Sequence, residues 1–273
     1  MAFVHLHRPP TPTASDLCFV IQEDRLLAQL DASGALQLPD LKTCEGWALA
    51  TGQTQSLGFL EGQACWSCAI LEANAVPPAG WEWFDTRTLL SAFTPAQMHA
   101  VSCARELHWW HTRHRFCGRC GKPTVDVVGE RAKKCPACNA LFFPVISPAV
   151  IVAVTRGNQI LLAHNHNFRP GMFSLLAGFV DPGETLEQAS VREVREEVGI
   201  EIEGLQYISS QPWPFPNSLM VGFSAKHVSG QLAVDGKEIE QAGWFTRAEL
   251  PEIPRKGTVA RSIIDAWLRE QLP

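Results

Sequence analysis

The sequence lacks the features that place a protein in a membrane. It contains no apolar run of about 18 residues, the length that predicts a transmembrane helix. Its amino terminus, MAFVHLHRPPTPT, includes no apolar segment of the kind found in signal peptides. An excess of positive charge is also missing, since the formal net charge is −5 at pH 7. We therefore expect no membrane partner and no general affinity for nucleic acid.

An even set of cysteines is missing as well, because the chain has nine. Two CxxC pairs separated by fourteen residues include four of them, Cys117, Cys120, Cys135 and Cys138. This spacing predicts a four-cysteine zinc ribbon. Four thiolates close the tetrahedral shell of Zn²⁺, so the metal would stabilise the fold and leave no position for a substrate. Thiolate ligands favour a reducing compartment, and the sequence therefore predicts a cytoplasmic protein.

Apolar patterning divides the chain into four predicted segments. Residues 1–93 contain short apolar runs separated by Gly, Pro and Asp, which predicts a β-rich N-terminal domain. A linker helix is predicted for 94–115, because Thr94 can cap it, Pro95 suits its first position and Gln97 completes a capping box. The zinc ribbon would occupy 116–144. Strand-like and helix-like patterns then predict an α/β domain over 145–273.

Within this last segment, five short apolar runs predict strands, and one longer stripe predicts a helix. The runs are 149–154, 160–163, 205–209, 219–223 and 242–245. The stripe recurs at helical spacing and is expected to face the core; it consists of Val259, Ile263, Ile264, Trp267 and Leu268.

The most specific motif is the stretch from Gly178 to Ile200, GFVDPGETLEQASVREVREEVGI. The tripeptide at 181–183, Asp-Pro-Gly, is typical of a turn. Thr185 is predicted to cap a helix that ends at Gly199, because threonine accepts a hydrogen bond at helix starts and glycine tolerates the left-handed conformation at helix ends.

On that helix, Glu193, Glu196 and Glu197 are predicted to share one face, since they are spaced at i, i+3 and i+4. Three carboxylates on one patch repel each other unless a cation lies among them. Hard oxygen ligands of this kind suit Mg²⁺ or Mn²⁺, and these ions also bind phosphate oxygens. A solvated acidic face is the alternative, but it leaves unexplained why every position of the long pattern is filled.

A second motif follows at residues 210–218, SQPWPFPNS. Three prolines alternate with two aromatic residues, and because proline cannot donate to a sheet ladder, we expect a stiff loop. A flat base could stack on the aromatic rings, with Gln211 and Ser218 supplying hydrogen-bonding groups. A purely structural loop is equally compatible with these residues taken alone.

Taken together, the four-cysteine pattern and these two motifs resemble the NADH pyrophosphatase family of Nudix hydrolases. The resemblance covers the chain in detail from about Phe116 to the C-terminus. It implies an α/β (α+β) Nudix fold and a homodimer. It also implies that NADH, NAD or NADP dinucleotides are partners and that the pyrophosphate bond of NADH or NAD is hydrolysed to AMP and (reduced) nicotinamide mononucleotide. Some members of the family remove NAD caps from RNA.

The resemblance further implies the residues of the site. The catalytic Mg²⁺ or Mn²⁺ would be bound by Glu193, Glu196, Glu197, Glu238 and the backbone carbonyl of Ala177. The dinucleotide would contact an N-terminal arginine, an aromatic residue after the ribbon, the second motif and the start of the last helix: Arg87, Phe143, Gln211, Pro212, Trp213, Pro214, Phe215, Pro216, Asn217, Ser218 and Ala260.

We accordingly expect metal-assisted hydrolysis, with Glu197 as the first choice for the base and Arg192 as a residue that orients the carboxylates. Two alternatives remain at this stage. The first is a Nudix hydrolase that acts on another nucleotide, such as ADP-ribose. The second is a zinc-ribbon protein that binds nucleic acid and carries a decayed Nudix domain, which the intact motif and the net negative charge disfavour.

Overall fold

A computed structural model describes residues 2–5, 11–32, 34–45, 54–70 and 75–272 of the chain. Its contacts divide the chain into two compact units. The N-terminal unit is Met1–Val145 together with Pro214–Asn217, and the C-terminal unit is Ile146–Trp213 together with Ser218–Pro273. Part of the predicted β-rich segment 1–93 lies outside the described residues. The four segment boundaries given above stay predictions.

The N-terminal unit contains a seven-stranded sheet and a short helix. The strands lie in the order β1-β5-β6-β2-β3-β4, and β7 pairs with β3. Strands β2 and β6 are parallel, whereas the other pairs in this sheet are antiparallel. The elements are β1 Phe3–His5, β2 Leu17–Gln22, β3 Arg25–Leu30, β4 Leu36–Gln37, α1 Leu41–Glu45, β5 Thr54–Leu60, β6 Gln63–Ala69 and β7 Glu82–Asp85.

Helix α2, Pro95–Arg113, begins where the sequence predicts. The Thr94 side chain accepts from the Gln97 backbone N–H, and the Gln97 side chain accepts from the Thr94 backbone N–H. Its apolar side chains, among them Val101 and Trp110, pack with the sheet in one core. The helix therefore contributes to the N-terminal core, because burying this apolar face against the sheet removes it from water.

The ribbon follows as a small three-stranded sheet in the order β10-β9-β8. Its strands are β8 Val125–Asp126, β9 Lys133–Lys134 and β10 Leu141–Phe142. Two knuckle turns precede and follow β9, and each ends in a left-handed residue, Gly121 in one and Asn139 in the other. Asn139 was not predicted to have this conformation, although asparagine is one of the few residues that adopt it readily.

The C-terminal unit contains a six-stranded sheet in the order β14-β15-β11-β12-β16, with β13 paired to β11. Strands β11 and β15 are parallel. All five predicted strands are confirmed, and each is longer than its apolar run. The elements are β11 Ser147–Arg156, β12 Gln159–Asn165, β13 Leu176–Phe179, α3 Leu186–Val198, β14 Glu201–Trp213, β15 Ser218–Ser229, β16 Ile239–Thr246 and α4 Val259–Leu268.

Two helices contribute to separate cores of this unit. Val194 and Val198 of α3 pack with Val152 and Ile200 in one cluster. Ile263 and the rest of the predicted α4 stripe pack in another cluster. Among the helices in the described part of the chain, none combines the length and apolarity needed to cross a membrane.

The second motif is only partly a loop, which corrects the sequence-based expectation. Gln211, Pro212 and Trp213 continue β14 and pair with Met220, Leu219 and Ser218 of β15. A proline is tolerated there because β14 is the edge strand, where one side of the backbone has no neighbouring strand to receive a hydrogen bond. The turn itself is confined to Pro214–Asn217.

Candidate active site

Helix α3 carries the carboxylates of the site, and residues at its two ends determine where it begins and ends. Thr185 and Gln188 form a capping box at its start, and Gly199 caps its end with a φ of 72°. Both caps confirm the predictions from the sequence. They fix the first and last turns of the helix, so the side chains of Glu193 and Glu197 lie on a defined face.

Arg192 joins the carboxylates around this helix. Its Nε and one terminal nitrogen donate to the two oxygens of Glu184 at 2.6 and 2.7 Å. The other terminal nitrogen donates to Glu193 at 2.8 Å and to Glu196 at 3.0 Å. This pairing lowers the pKa of Glu184 to about 2, the Arg192 hydrogen bond being the largest cause. The geometry agrees with an orienting function for Arg192, and that function stays a prediction.

The Glu193 carboxylate lies close against the backbone of Gly178. A Cβ atom added to Gly178 would lie 2.0 Å from the Glu193 carboxyl carbon, so no larger residue fits without displacing the carboxylate. The glycine of the motif is thus needed for space, since its φ is not in the left-handed region. Burial raises the pKa of Glu193, and the Arg192 hydrogen bond opposes that shift.

Glu197 is the most unusual carboxylate of the site. Its side chain is buried, with 6% of the residue exposed, and its Oε2 atom has no hydrogen-bond partner. Burial, followed by the charges of Glu193 and Glu238, raises the pKa of Glu197 to about 8. A buried carboxylate facing other carboxylates is unfavourable unless a cation compensates it.

Glu238 reaches this cluster through the loop before β16. The backbone N–H of Asp235 donates to the carbonyl of Glu197 at 3.1 Å, which satisfies an open carbonyl of the last turn of α3. The Asp235 carboxylate in turn accepts from the backbone N–H groups of Glu238 and Ile239 at 3.1 and 2.9 Å. These hydrogen bonds lower the pKa of Asp235. Asp235 was not predicted, because nothing in the local sequence around it indicates this contact.

The donor set fits a divalent cation. Carboxylate oxygens from Glu193, Glu196, Glu197 and Glu238 are the hard ligands that Mg²⁺ and Mn²⁺ prefer, and the unpartnered Oε2 of Glu197 is a buried acceptor. Ala177 directly precedes Gly178 in β13, and it is Gly178 that lies against the Glu193 carboxylate. Within the described ranges, only the ribbon cysteines place three or more potential ligand atoms within 4.8 Å of one another.

Those four cysteines form the second metal centre. Their sulfurs all lie within 4.8 Å of one another, and three pairs are 3.5 to 3.6 Å apart. Sulfurs about 2.3 Å from a shared Zn²⁺ in a tetrahedron would be roughly 3.8 Å apart. The geometry therefore fits a closed structural zinc site, as the spacing of the cysteines predicts.

Gln211 organises the start of α4. Its side-chain Nε2 donates to the carbonyl of Gly257 at 2.8 Å, and its Oε1 accepts from the backbone N–H of Val259 at 2.7 Å. Ala260 is the next residue and is buried. The structure thus brings together two of the predicted substrate contacts, Gln211 and the backbone around Ala260, in the C-terminal unit.

The turn Pro214–Asn217 is surrounded by residues of the N-terminal unit, to which it belongs. The guanidinium carbons of Arg87 and Arg105 lie 4.5 and 4.8 Å from the centre of the Phe215 ring. Arg87 and Phe215, both predicted to contact substrate, are therefore neighbours. Arg105 was not predicted, because an arginine within a helix gives no signal of this kind in the sequence.

The remaining predicted contacts differ in exposure. Asn217 is buried and its Nδ2 donates to the carbonyl of Val145 at 2.8 Å. Ser218 is buried at the start of β15. Phe143 has 54% of its surface exposed, so its ring is available to a ligand or to another chain. Their contacts with substrate stay predictions.

Three protein-family models match successive parts of the chain. Residues 145–267 match the model described as NUDIX domain, and residues 112–143 match the NADH pyrophosphatase zinc ribbon domain. Residues 15–110 match the NADH pyrophosphatase-like rudimentary NUDIX domain. The match over the N-terminal unit includes most of α2, which agrees with the packing of this helix in the N-terminal core.

Curated relatives match nearly the whole chain. A protein of Stutzerimonas stutzeri (strain A1501) named NAD-capped RNA hydrolase NudC is 39% identical over 254 residues, which cover 93% of this chain and 87% of the relative. A protein of the same name from Pseudomonas syringae pv. syringae (strain B728a) is 40% identical over 89% of this chain and 86% of the relative. The crystal structure of a NUDIX hydrolase from Nitrosomonas europaea is 23% identical in sequence and matches with a TM-score of 0.50. The match covers 57% of this chain and 92% of the Nitrosomonas chain, and it shows that the matched part has the same fold.

Proposed function

Because the chain belongs to the NADH pyrophosphatase family of Nudix hydrolases, we propose that it hydrolyses the pyrophosphate bond of NADH and NAD. The products would be AMP and nicotinamide mononucleotide, reduced when the substrate is NADH. The observation that supports this most directly is the buried Glu197 oxygen without a partner, in the middle of a carboxylate cluster on the Nudix helix. Such a cluster needs a cation, and a diphosphate is the substrate group that divalent cations bind.

The site residues would divide the work between holding the metal and moving a proton. Glu193, Glu196, Glu197 and Glu238, with the carbonyl of Ala177, would hold Mg²⁺ or Mn²⁺. The chemistry that this ion supplies in such a site is charge neutralisation of the diphosphate and acidification of a water. Arg192 keeps the Glu193 and Glu196 carboxylates oriented through its hydrogen bonds of 2.8 and 3.0 Å.

Glu197 is our first choice for the group that accepts the proton from the attacking water. It is the most buried of the four carboxylates, and its Oε2 is not committed to a hydrogen bond within the protein. A general base must also be ionised, which burial and the negative charge of Glu193 and Glu238 disfavour until a cation is present. The same residue would therefore be unable to act without the metal.

The base of the dinucleotide would be held by the second motif. Trp213 and Phe215 are its half-buried aromatic residues, and Phe143, which follows the ribbon, is exposed. Gln211 has both amide groups engaged with the start of α4, so we assign it to shaping the backbone around Ala260 more than to free hydrogen bonding with the substrate.

We further propose that the enzyme removes NAD caps from RNA, as the names of its relatives state for those proteins. A homodimer would suit the exposed Phe143 ring, which a second copy could cover. A cytoplasmic location is supported by the four thiols of the ribbon, which stay available to zinc only under reducing conditions.

A single assay tests the proposed reaction. Purified protein is incubated with NADH, NAD, ADP-ribose or NAD-capped RNA in the presence of Mg²⁺ or Mn²⁺, and the products are separated by chromatography. We expect AMP and reduced nicotinamide mononucleotide from NADH, with no change in redox state. Free nicotinamide as the main product would mean cleavage of the glycosidic bond, and turnover of ADP-ribose alone would favour the alternative substrate.

A further inference from the structure

Arg105 is a buried arginine of α2 whose contacts converge on the turn of the second motif. Only 5% of the residue is exposed. Its Nε donates to the carbonyl oxygen of Pro214 at 3.2 Å, and its guanidinium lies over Phe215 at 4.8 Å from the ring centre. One side chain thus contacts both the backbone and the aromatic ring of the turn.

The other end of the guanidinium is fixed by the N-terminal sheet. One terminal nitrogen donates to the Thr86 hydroxyl at 3.0 Å, and the other donates to the Asp24 carboxylate at 2.5 Å. The Thr86 hydroxyl itself donates to the carbonyl of Asp24 at 2.9 Å. Arg105 is therefore held on one side by the β2–β3 connection and the end of β7, and it holds the turn on the other.

We propose that Arg105 is a positioning residue that fixes the turn Pro214–Asn217 and thereby sets how tightly the enzyme binds its dinucleotide. This inference rests on the proposed function, because it takes the turn as part of the substrate site. Arg105 itself need not touch the substrate. It acts through Phe215 and the Pro214 carbonyl, whose location depends on the arginine.

The chemistry of the side chain explains why an arginine is required. A planar guanidinium donates in three directions at once and also stacks on an aromatic face, so it can join Asp24, Thr86, Pro214 and Phe215. A lysine ammonium could keep the ion pair with Asp24, but it cannot reproduce the flat contact with Phe215 together with the hydrogen bond to Pro214. The prolines stiffen the turn, yet they do not determine where it lies.

The test compares steady-state kinetics with NADH for the parent, Arg105→Met and Arg105→Lys. We expect Arg105→Met to raise KM about tenfold or more while kcat stays within about threefold, because the metal site is unchanged. Arg105→Lys should restore part of the loss. The matched control is Arg113→Met, which removes another arginine of α2 that stacks on an aromatic ring, Trp109, and should leave KM unchanged.

A double-mutant cycle tests whether Arg105 changes the KM through Phe215. If Arg105 acts through Phe215, the KM change in Arg105→Met with Phe215→Ala will be smaller than the product of the two single changes. Because Arg105→Met leaves the Asp24 side without its partner and could lower stability, Asp24→Asn is included as a milder variant on an exposed residue. It should raise KM in the same direction but less.

The outcomes separate this inference from the proposed function. A KM for NADH within twofold of the parent in folded Arg105→Met, or independent effects of Arg105→Met and Phe215→Ala, would overturn the positioning role. If the parent does not split NADH, the proposed function fails. The turn is then examined without substrate by ¹⁹F resonance of 4-fluorophenylalanine placed at position 215. A change in Arg105→Met but not in Arg113→Met supports the anchoring of the turn, and identical spectra overturn it.

Discussion

In the N-terminal unit, strands β5, β6, β2, β3 and β7 lie side by side, and in the C-terminal unit strands β14, β15, β11, β12 and β16 lie in the corresponding order. The parallel pair occupies the same place in both sheets, β2 with β6 and β11 with β15. A helix follows the last strand of each series, α2 after β7 and α4 after β16. The chain therefore contains two sheets with the same strand order and the same parallel pair, which we call the two copies.

The two copies differ in one helix. It lies between β3 and β5 in the N-terminal unit and between β12 and β14 in the C-terminal unit. In the C-terminal unit this is α3, Leu186–Val198, with Arg192 and the three glutamates. In the N-terminal unit it is α1, Leu41–Glu45, and the sequence from 41 to 53 contains a single carboxylate, Glu45. The sheet can thus be kept without the carboxylates of α3, because its core depends on apolar strands, whereas the proposed cation site depends on several carboxylates on one helix face.

Each copy nevertheless contains a glutamate with a raised pKa, Glu197 in the C-terminal unit and the half-buried Glu106 in the N-terminal unit. Burial, together with the negative charge of Glu193 and Glu238, raises the pKa of Glu197 to about 8. Burial alone raises the pKa of Glu106, in α2, to about 7. The difference in cause predicts a difference in role, since only the Glu197 cluster has charges that a divalent cation would neutralise.

The largest expected effect is on turnover, and it contrasts these two glutamates. Glu197→Gln should keep the fold and lower kcat roughly 10²–10⁴-fold, because it removes a metal ligand and the proposed base. Glu106→Gln is the matched control and should leave kcat within a few-fold. The rates are measured with NADH and saturating Mn²⁺. Turnover of Glu197→Gln close to that of the parent would contradict the assignment of the catalytic helix.

The two metal centres offer the next contrast. Cys117→Ser should release zinc and lower the melting temperature by roughly 10 °C, because one lost thiolate opens a closed tetrahedral site and 1 kcal/mol corresponds to about 2–4 °C for chains of this size. Metal analysis and thermal denaturation measure the effect, with Cys103→Ser as a variant that should retain zinc. One tightly held zinc per chain in Cys117→Ser would argue against the ribbon.

The raised pKa of Glu197 predicts how metal binding depends on pH. A proton on Glu197 competes with the cation below pH 8, so affinity for Mn²⁺ should rise with pH by up to about tenfold per unit and level off above pH 8. Titration calorimetry from pH 6 to 9 measures this dependence. Glu197→Gln should bind more weakly, with a flatter profile. A parent whose affinity is constant between pH 6 and 8 would show that Glu197 does not ligate the ion.

The smallest expected effect concerns stability around Glu106. Its pKa in the folded protein is raised, so its favourable contribution is complete below the unfolded value of 4.5 and is lost as pH rises through about 7. Glu106→Gln should therefore raise the melting temperature by a few degrees at pH 8.5 and hardly at all at pH 5. An equal shift at both values would mean that ionisation of Glu106 is not what destabilises the parent.

Local sequence determined the elements whose signals are short-range. The capping boxes at Thr94 and Thr185, the end of α3 at Gly199 and the four-cysteine ribbon were predictable, because each depends on residues that lie near one another in the sequence. The strands of the C-terminal sheet were predictable from their apolar runs, although their ends extend beyond these runs. Longer strands form because hydrogen bonding continues into polar residues that carry no apolar signal.

Tertiary structure decided what depends on residues far apart in the chain. Pro212 lies in a strand because β14 is at the edge of its sheet, and α2 is core because a sheet built from residues 3–85 covers it. Asp235 supports Glu238 only because its loop binds the last turn of α3. Arg105 meets the turn Pro214–Asn217 across more than one hundred residues of sequence. No periodicity or spacing reports such contacts, since they exist only once the separate cores have formed.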